Sequence, residues 1–243
     1  MRALLHAHSD YSYDGEPTVE ELCTWGSSRG LDLILLTEHV NDFDASKMKR
    51  FVDEVDSLSS SRCRLVPGLE FAVRGGFHLL GFNIRSWEPL VEPAEVASFI
   101  RDQGGLAVLA HPARYRGLWP DDETLRALHG IEVWNAAYDG RFVPSGNVLA
   151  ASKARRTAFG HLNFFGGQDM HRLVDHRLIV TESSAETGVD GFLQDLERGL
   201  TTFGAAGFRF AGNPPAGSPP TTLLKLSHLS YVLARRVRDR WIG

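Results

Sequence analysis

Ala3-Leu4-Leu5-His6-Ala7-His8 opens the chain with an apolar run that ends in two histidines one residue apart. Alternate residues of a β-strand leave the same face, so both imidazoles are expected on one side of a strand at its C-terminal end. That is a metal-ligand arrangement. Asp14 follows within one loop, and the next apolar run, Leu31 to Thr37, also closes on a histidine, His39. Later runs carry Glu70, His78, His111 and the cluster Asp169-Met170-His171. Metal-type ligands therefore recur at the ends of successive strands, as a metal-dependent hydrolase requires.

Between these runs, helix-like segments alternate with strand-like ones. Helices are expected over 17–29, with Pro17 in the first turn and Gly30 as the stop, and over 44–58, where Met48, Phe51, Val52, Val55 and Leu58 fall at helical spacing. Further helices are expected at 93–103, 121–128, 146–155 and 188–199. Strands are expected at 31–37, 64–67, 77–82, 106–111, 131–135, 157–160 and 178–182, with a turn over 166–171. Repeated β-then-α units favour parallel strands with right-handed crossovers, and ligands at many strand ends favour closure into a barrel whose mouth gathers distant positions. Gly212-Asn-Pro-Pro-Ala-Gly-Ser-Pro-Pro220 sustains neither helix nor central strand, so a domain over 1–211 is expected, then a linker over 212–221 and a helix over 222–243. In that last segment Leu226, Leu229, Leu233, Val237 and Trp241 recur at helical spacing while Arg235, Arg236, Arg238 and Arg240 crowd its end. The segment is expected to pack on the domain or a second subunit, with weak contact to an anionic membrane surface as the alternative.

Composition narrows the class. The 243 residues, 43% of them apolar, suffice for one large core, and a net charge of −4 argues against a chain built to coat nucleic acid. Cys23 and Cys63 have neither zinc nor redox spacing, which points to a reducing compartment. With no charged leader before the first strand and no run of 18 apolar residues, a cytoplasmic location is expected.

His6-Ala-His8-Ser with Tyr13-Asp14-Gly15, Thr37-Glu-His39, Gly68-Leu-Glu70, His78, Ala110-His-Pro112, Glu132-Val-Trp-Asn135 and Gly167-Gln-Asp169-Met-His171 together resemble the PHP family, named for polymerase and histidinol phosphatase, over roughly residues 2–205. The resemblance implies an α/β fold, a distorted (β/α)7 TIM-like barrel, with two to three divalent ions (zinc, manganese or iron) in its mouth. One ion would take His6, His8, Glu70 and Asp169. A second would share Glu70 and add His78 and His111, and a third would take Asp14, His39 and His171. Catalysis would fall to Glu70, Asp169 and His171, with a metal-bridging hydroxide as nucleophile on a small phosphate monoester such as a nucleotide, an amino-alcohol phosphate or a sugar phosphate. A phosphodiesterase or exonuclease, an amidohydrolase and a non-catalytic metal-stabilised module are the alternatives. The small phosphorylated substrate is the expected partner, and no nucleic acid.

A phosphate monoester calls for an arginine near the mouth, and Arg114, just after His111-Pro112, is the leading candidate; Arg172, Arg141 and Arg116 lie on adjacent loops. Tyr115, Trp119, Trp134 and Tyr138 offer rings for stacking, and Asn135 and Asn147 offer hydrogen bonds. Three positions depart from the family pattern. Glu38 stands where aspartate is commoner, and Gln168 and Met170 replace smaller residues, which is expected to reshape the pocket.

Overall fold

Leu33-Ile34-Leu35-Leu36 is apolar at every position, and a strand of that kind needs a hydrophobic layer on both faces. Both layers are present in the computed structural model, which describes residues 1–58, 63–139, 142–173, 177–184, 188–205 and 207–214. Its strands are β1 (Arg2–Ala7), β2 (Leu33–Leu36), β3 (Glu38–His39), β4 (Arg64–Val66), β5 (Gly68–Ala72), β6 (His78–Phe82), β7 (Leu106–Leu109), β8 (Gly130–Asn135), β9 (Asn163–Gly167), β10 (Val180–Glu182), β11 (Thr202–Ala205) and β12 (Phe208–Ala211). The helices are α1 (Val19–Ser28), α2 (Ala45–Ser57), α3 (Pro93–Asp102), α4 (Asp122–Ala127), α5 (Gly146–Phe159) and α6 (Gly188–Arg198). Leu33 and Leu35 join Leu5, Val66, Leu80, Phe82, Val108 and Phe165 in one buried cluster, together with Phe192 and Leu196 of α6. Ile34 and Leu36 face the other way, into a cluster with Leu22 of α1, Phe51 of α2, Ile100 of α3 and Leu149 of α5.

The expected α/β class is present. The strands divide into two six-stranded sheets, ordered β12-β11-β10-β1-β2-β4 and β3-β5-β6-β7-β8-β9, where the resemblance implied one seven-stranded barrel. The sheets meet around the C-terminal end of β1. Gln168 N donates to Leu5 O (2.8 Å), His8 N to Met170 O (2.8 Å) and Thr37 N to Ala7 O (2.9 Å). The uniformly parallel arrangement expected from the β-α alternation is not observed. β6 runs antiparallel to β5 and β7, because only residues 73–77 separate β5 from β6, far too few for a parallel crossover. β10, β11 and β12 likewise add as an antiparallel meander beside β1.

Several local readings change. Residues 157–159 continue α5, which ends at Gly160 in the left-handed conformation (φ +80°), and the strand is β9, which takes Gly166 and Gly167 from the expected turn. A short apolar run does not distinguish helix from strand by period, and here the ring of Phe159 packs on the core beneath the Arg126 guanidinium. Pro17 precedes α1 rather than entering its first turn, because Thr18 is the N-cap and closes a capping box with Glu21. The expected linker begins inside the fold: Gly212 N donates to Thr201 O and Gly212 O accepts from Phe164 N. Residues 215–221 of that linker and the helix expected over 222–243 lie outside the described residues. Among the described residues no helix is long and apolar enough to cross a membrane.

The backbone is irregular where the sheets meet. The β1–β2 register shifts between Leu5 and Ala7, and His6 sits in that bulge with φ +65°. His111, just past β7, and Asp169, just past β9, also have positive φ, +29° and +52°. Such conformations cost a non-glycine residue on the order of 1–3 kcal/mol each and persist where the surrounding structure over-determines them. Simple strand alternation therefore does not aim His6 and His8 together, as the sequence reading expected; a bulge does.

Candidate metal centre

All nine expected donors converge at the ends of β1, β3, β5, β6, β7 and β9 and on the loops that follow. His6 Nε2 lies 3.0 Å from Glu70 Oε2 and 3.5 Å from Asp169 Oδ1, and His8 Nε2 lies 3.3 Å and 3.7 Å from the same two oxygens. The other oxygen of Glu70 turns away from this group. Glu70 Oε1 meets His111 Nε2 at 2.9 Å and is in direct contact with His78 Nδ1. In a third group Asp14 Oδ2 is 3.4 Å from His171 Nε2, Asp14 Oδ1 is 3.6 Å from His39 Nε2, and the two imidazole nitrogens are 3.4 Å apart. Donor atoms of His8, His39 and His171, of His6, His8 and Glu70, of His6, His111 and Asp169, and of His39, Glu70 and His78 lie within 4.8 Å of one another. Side-chain exposure rises from 0–1% at His6, His8 and Glu70 to 27% at His171 and 37% at Asp14, so the third group faces the opening.

The surrounding polar groups set which ring nitrogen faces inward. Glu132, buried in β8, accepts from His6 Nδ1 (2.8 Å), from His111 N (2.7 Å) and from Asn135 Nδ2 (2.9 Å). A carboxylate on Nδ1 places the proton there and leaves Nε2 free to act as a donor to a cation. His8 is set less directly. Ser12 Oγ gives its one proton to Glu38 Oε2 (2.6 Å), so His8 Nδ1, 3.1 Å away, must be the donor in the bond to Ser12. Glu38 also accepts from Ser9 N (3.0 Å) and Ser9 Oγ (2.7 Å), and its extra methylene relative to aspartate is absorbed in reaching these groups. Gly167 makes room for the network, since a Cβ there would fall 1.6 Å from Glu132 Oε1.

This donor set fits divalent cations better than it fits hydrogen bonding within the protein. His8 Nε2 is buried and makes no hydrogen bond among the described residues, although two carboxylates lie close to it. Protons compensate in the metal-free protein. Burial alone would push His6 down, yet Glu132, Asp169 and Glu70 outweigh it and hold the imidazole well above its usual range. Burial likewise opposes protonation of His8, but the adjacent carboxylates of Asp169 and Glu70 raise it to about 9. Burial would raise Glu70 and Asp169, and the neighbouring histidines, His6 foremost, reverse that and hold both carboxyls below their usual range.

The substrate-side residues separate. Arg114 reaches the cluster, with Nη1 2.9 Å from His78 Nε2. Arg172 lines a cavity of about 190 Å3 beside Asp169 and His171, but its guanidinium pairs with Glu16 at 3.0 Å. Arg116 borders a different cavity, and Arg141 lies outside the described residues. Gln168 and Met170 line the same cavity as Arg172, with Met170 also packed into the hydrophobic core and Gln168 Oε1 accepting from Ile179 N at 2.9 Å. Tyr115 is held in the wall: its hydroxyl accepts from His78 N (2.8 Å) and lies 3.3 Å from His111 Nδ1. The orienting roles of Glu132 and Ser12 were missed by sequence reasoning. A carboxylate inside the apolar run Ile131-Glu-Val-Trp134 was the available signal, because an acid buried in a strand needs polar partners.

Known structures share this fold. A structure from Bifidobacterium adolescentis, described as a candidate metal-dependent phosphoesterase, is similar with a TM-score of 0.55 at 15% identity, covering 81% of this chain and 96% of that one. PsfC from Pseudomonas syringae is similar with a TM-score of 0.54 at 14% identity, over 95% and 98% of the two chains. An amidohydrolase from Chromobacterium violaceum, with bound sulfate and no metal, is similar with a TM-score of 0.52 at 17% identity, over 70% and 87%. No curated protein matches the sequence significantly. The model of the PHP domain matches residues 5–151, more than half of the chain and including seven of the nine convergent donors, and the chain belongs to the PHP domain family.

Proposed function

We propose that this chain is a metal-dependent hydrolase of a small phosphate monoester. The observation that carries the reading is the division of Glu70: one oxygen faces His6 and His8, the other faces His78 and His111, as a carboxylate shared by two cations must. In this reading His6, His8, Glu70 and Asp169 hold one ion, Glu70, His78 and His111 a second, and Asp14, His39 and His171 a third. Imidazole with carboxylate suits zinc, manganese or iron. When bound, such ions polarise phosphoryl oxygens and lower the pKa of water in the site. The protein's own contribution is placement. Glu132 and Ser12 fix the tautomers of His6 and His8, while Arg114 beside His78 supplies a fixed cation for the phosphoryl oxygens the metals do not reach. The sulfate on the Chromobacterium relative, a tetrahedral dianion, is in keeping with a phosphate ligand.

The test is metal analysis of the purified chain joined to phosphate release from monoesters, diesters and nucleotides with added manganese, iron or zinc. His6→Ala and Asp169→Ala serve as controls. Bound metal with monoester turnover that vanishes in both variants is the expected result. A diester preference would instead make the protein a phosphodiesterase, and turnover with neither ester class would sink the phosphoesterase reading.

Two smaller effects follow. Glu132→Gln keeps the shape but puts an amide where His6 needs a carboxylate, and should lower metal affinity or turnover by about 10–100-fold, read by metal titration and kcat. Arg114→Ala should raise KM about 10-fold or more, the worth of a charge-assisted hydrogen bond, with a smaller change in kcat. If KM stays constant, Arg114 does not touch substrate.

A further inference from the structure

A cavity of about 420 Å3 opens between the 112–119 segment and the first turns of α5. That volume lies in the range of small-molecule sites, roughly 300–1,000 Å3. The cavity adjoins the donor cluster: Pro112 in its wall follows His111 directly, and the ring of Tyr138, also in its wall, is 4.8 Å from the His111 ring. Nothing in the proposed hydrolysis of the phosphoryl group uses this space.

Its lining is chemically selective. Trp119 is braced by the Arg155 guanidinium from α5, whose carbon lies 3.7 Å from the ring centroid, so the indole is a fixed surface. Arg116 and Gly117, at φ +52° and +92°, form the reversal that carries the chain into Leu118 and Trp119. Ser145 and Asn147 add a polar edge. Large apolar side chains stand exposed here: Leu118, between Gly117 and Trp119, at 67% and Tyr138, in the cavity wall, at 45%, while Tyr13, at 64%, lies over the donor cluster. Tyr13 stacks at 5.1 Å on His39. A bare phosphate or a polyol has no use for an aromatic rim of this kind.

We propose that the cavity is the leaving-group pocket and that it selects a planar aromatic or heteroaromatic group, stacked against Trp119 and Tyr138 with Asn147 and Ser145 at its polar edge. This rests on the monoester reading above. Two substrates with leaving alcohols of comparable acidity, 2-phenylethyl phosphate and n-butyl phosphate, separate ring recognition from chemistry. With the manganese-loaded full chain, kcat/KM should favour the phenylethyl ester by about 10-fold, the lower end of what one stacked ring contributes. Trp119→Leu should bring that ratio close to 1 through KM, and Trp119→Phe, which keeps a ring, should retain most of it. In saturation-transfer NMR on the metal-free protein, the phenyl protons of the same ester should receive signal from the wild type and lose it in Trp119→Leu.

A wild-type ratio near 1, or a ratio indifferent to Trp119→Leu, overturns the inference and leaves the monoester reading intact. A preference for leaving groups bearing a carboxylate, abolished by Arg116→Ala and indifferent to Trp119, also overturns it by making the cavity an anion pocket. If no monoester turns over with any metal, the monoester reading falls, and the saturation transfer alone decides whether the cavity binds the ring.

Discussion

Glu70→Gln is expected to lower kcat/KM on a phosphate monoester by on the order of 10³-fold or more, about 4 kcal/mol of transition-state stabilisation, and to cut the bound metal. Glutamine keeps the length and shape of the side chain, so the effect isolates one change. An amide has one oxygen with which to replace two, and in this site the two oxygens face different histidine pairs, His6 with His8 and His78 with His111. Whichever way the amide turns, one pair meets an NH2 group. The same variant should weaken the metal-free protein. Glu70 is buried among imidazoles that it helps keep protonated, and removing one partner of a buried charged group costs about 3–5 kcal/mol. Metal content and thermal unfolding, measured with and without chelator, separate the two effects. Glu70→Gln protein with full metal content and near-normal turnover would refute the shared-carboxylate assignment.

Much of the site was legible because ligand chemistry is carried by residue type, and nine donors at strand ends leave few other readings. How the chain aims them was not legible. His6, His111 and Asp169 adopt positive φ, a minority conformation even for histidine and aspartate that sequence alone does not place; at His6 and Asp169 it goes with the backbone bonds that join the two sheets at the end of β1. The direction of β6 was readable and was missed, since residues 73–77 are too few to return the chain parallel. At 157–160 the sequence was ambiguous in itself, because four residues carry no period. Glu38 illustrates a further limit. Its departure from aspartate is a tuning of contacts behind the ligands, but the contacts themselves were not readable: the longer side chain ends on Ser9 and Ser12, and its influence on His8 passes through the Ser12 hydroxyl. Partners of that sort become visible only when residues distant in sequence are placed together.

Metal should stabilise the protein increasingly as pH rises from about 6.5 to 9. In the metal-free state protons occupy the site: His8 titrates near 9 and His6 lies well above its ordinary value, so at neutral pH both are charged. An imidazole must lose its proton before Nε2 can bind a cation, so metal and proton compete directly. The folded state raises the pKa of His8, and its contribution to metal-free stability is therefore complete below about 6.5 and lost as pH climbs through 9. Over that window the metal-free protein weakens while the competing proton leaves, and both trends enlarge the gap between the loaded and stripped forms. A divalent ion at 100 times its Kd adds about 2.7 kcal/mol, or roughly 5–11 °C in Tm for a chain of this size. Thermal scans with manganese or zinc against EDTA at pH 6.5, 7.5 and 8.5 should show the difference growing with pH. Calorimetric titrations in buffers of different ionisation enthalpy should show protons released on binding. A Tm difference that is flat or shrinks with pH, or metal binding without proton release, would mean that the cation does not sit on the His6 and His8 imidazoles.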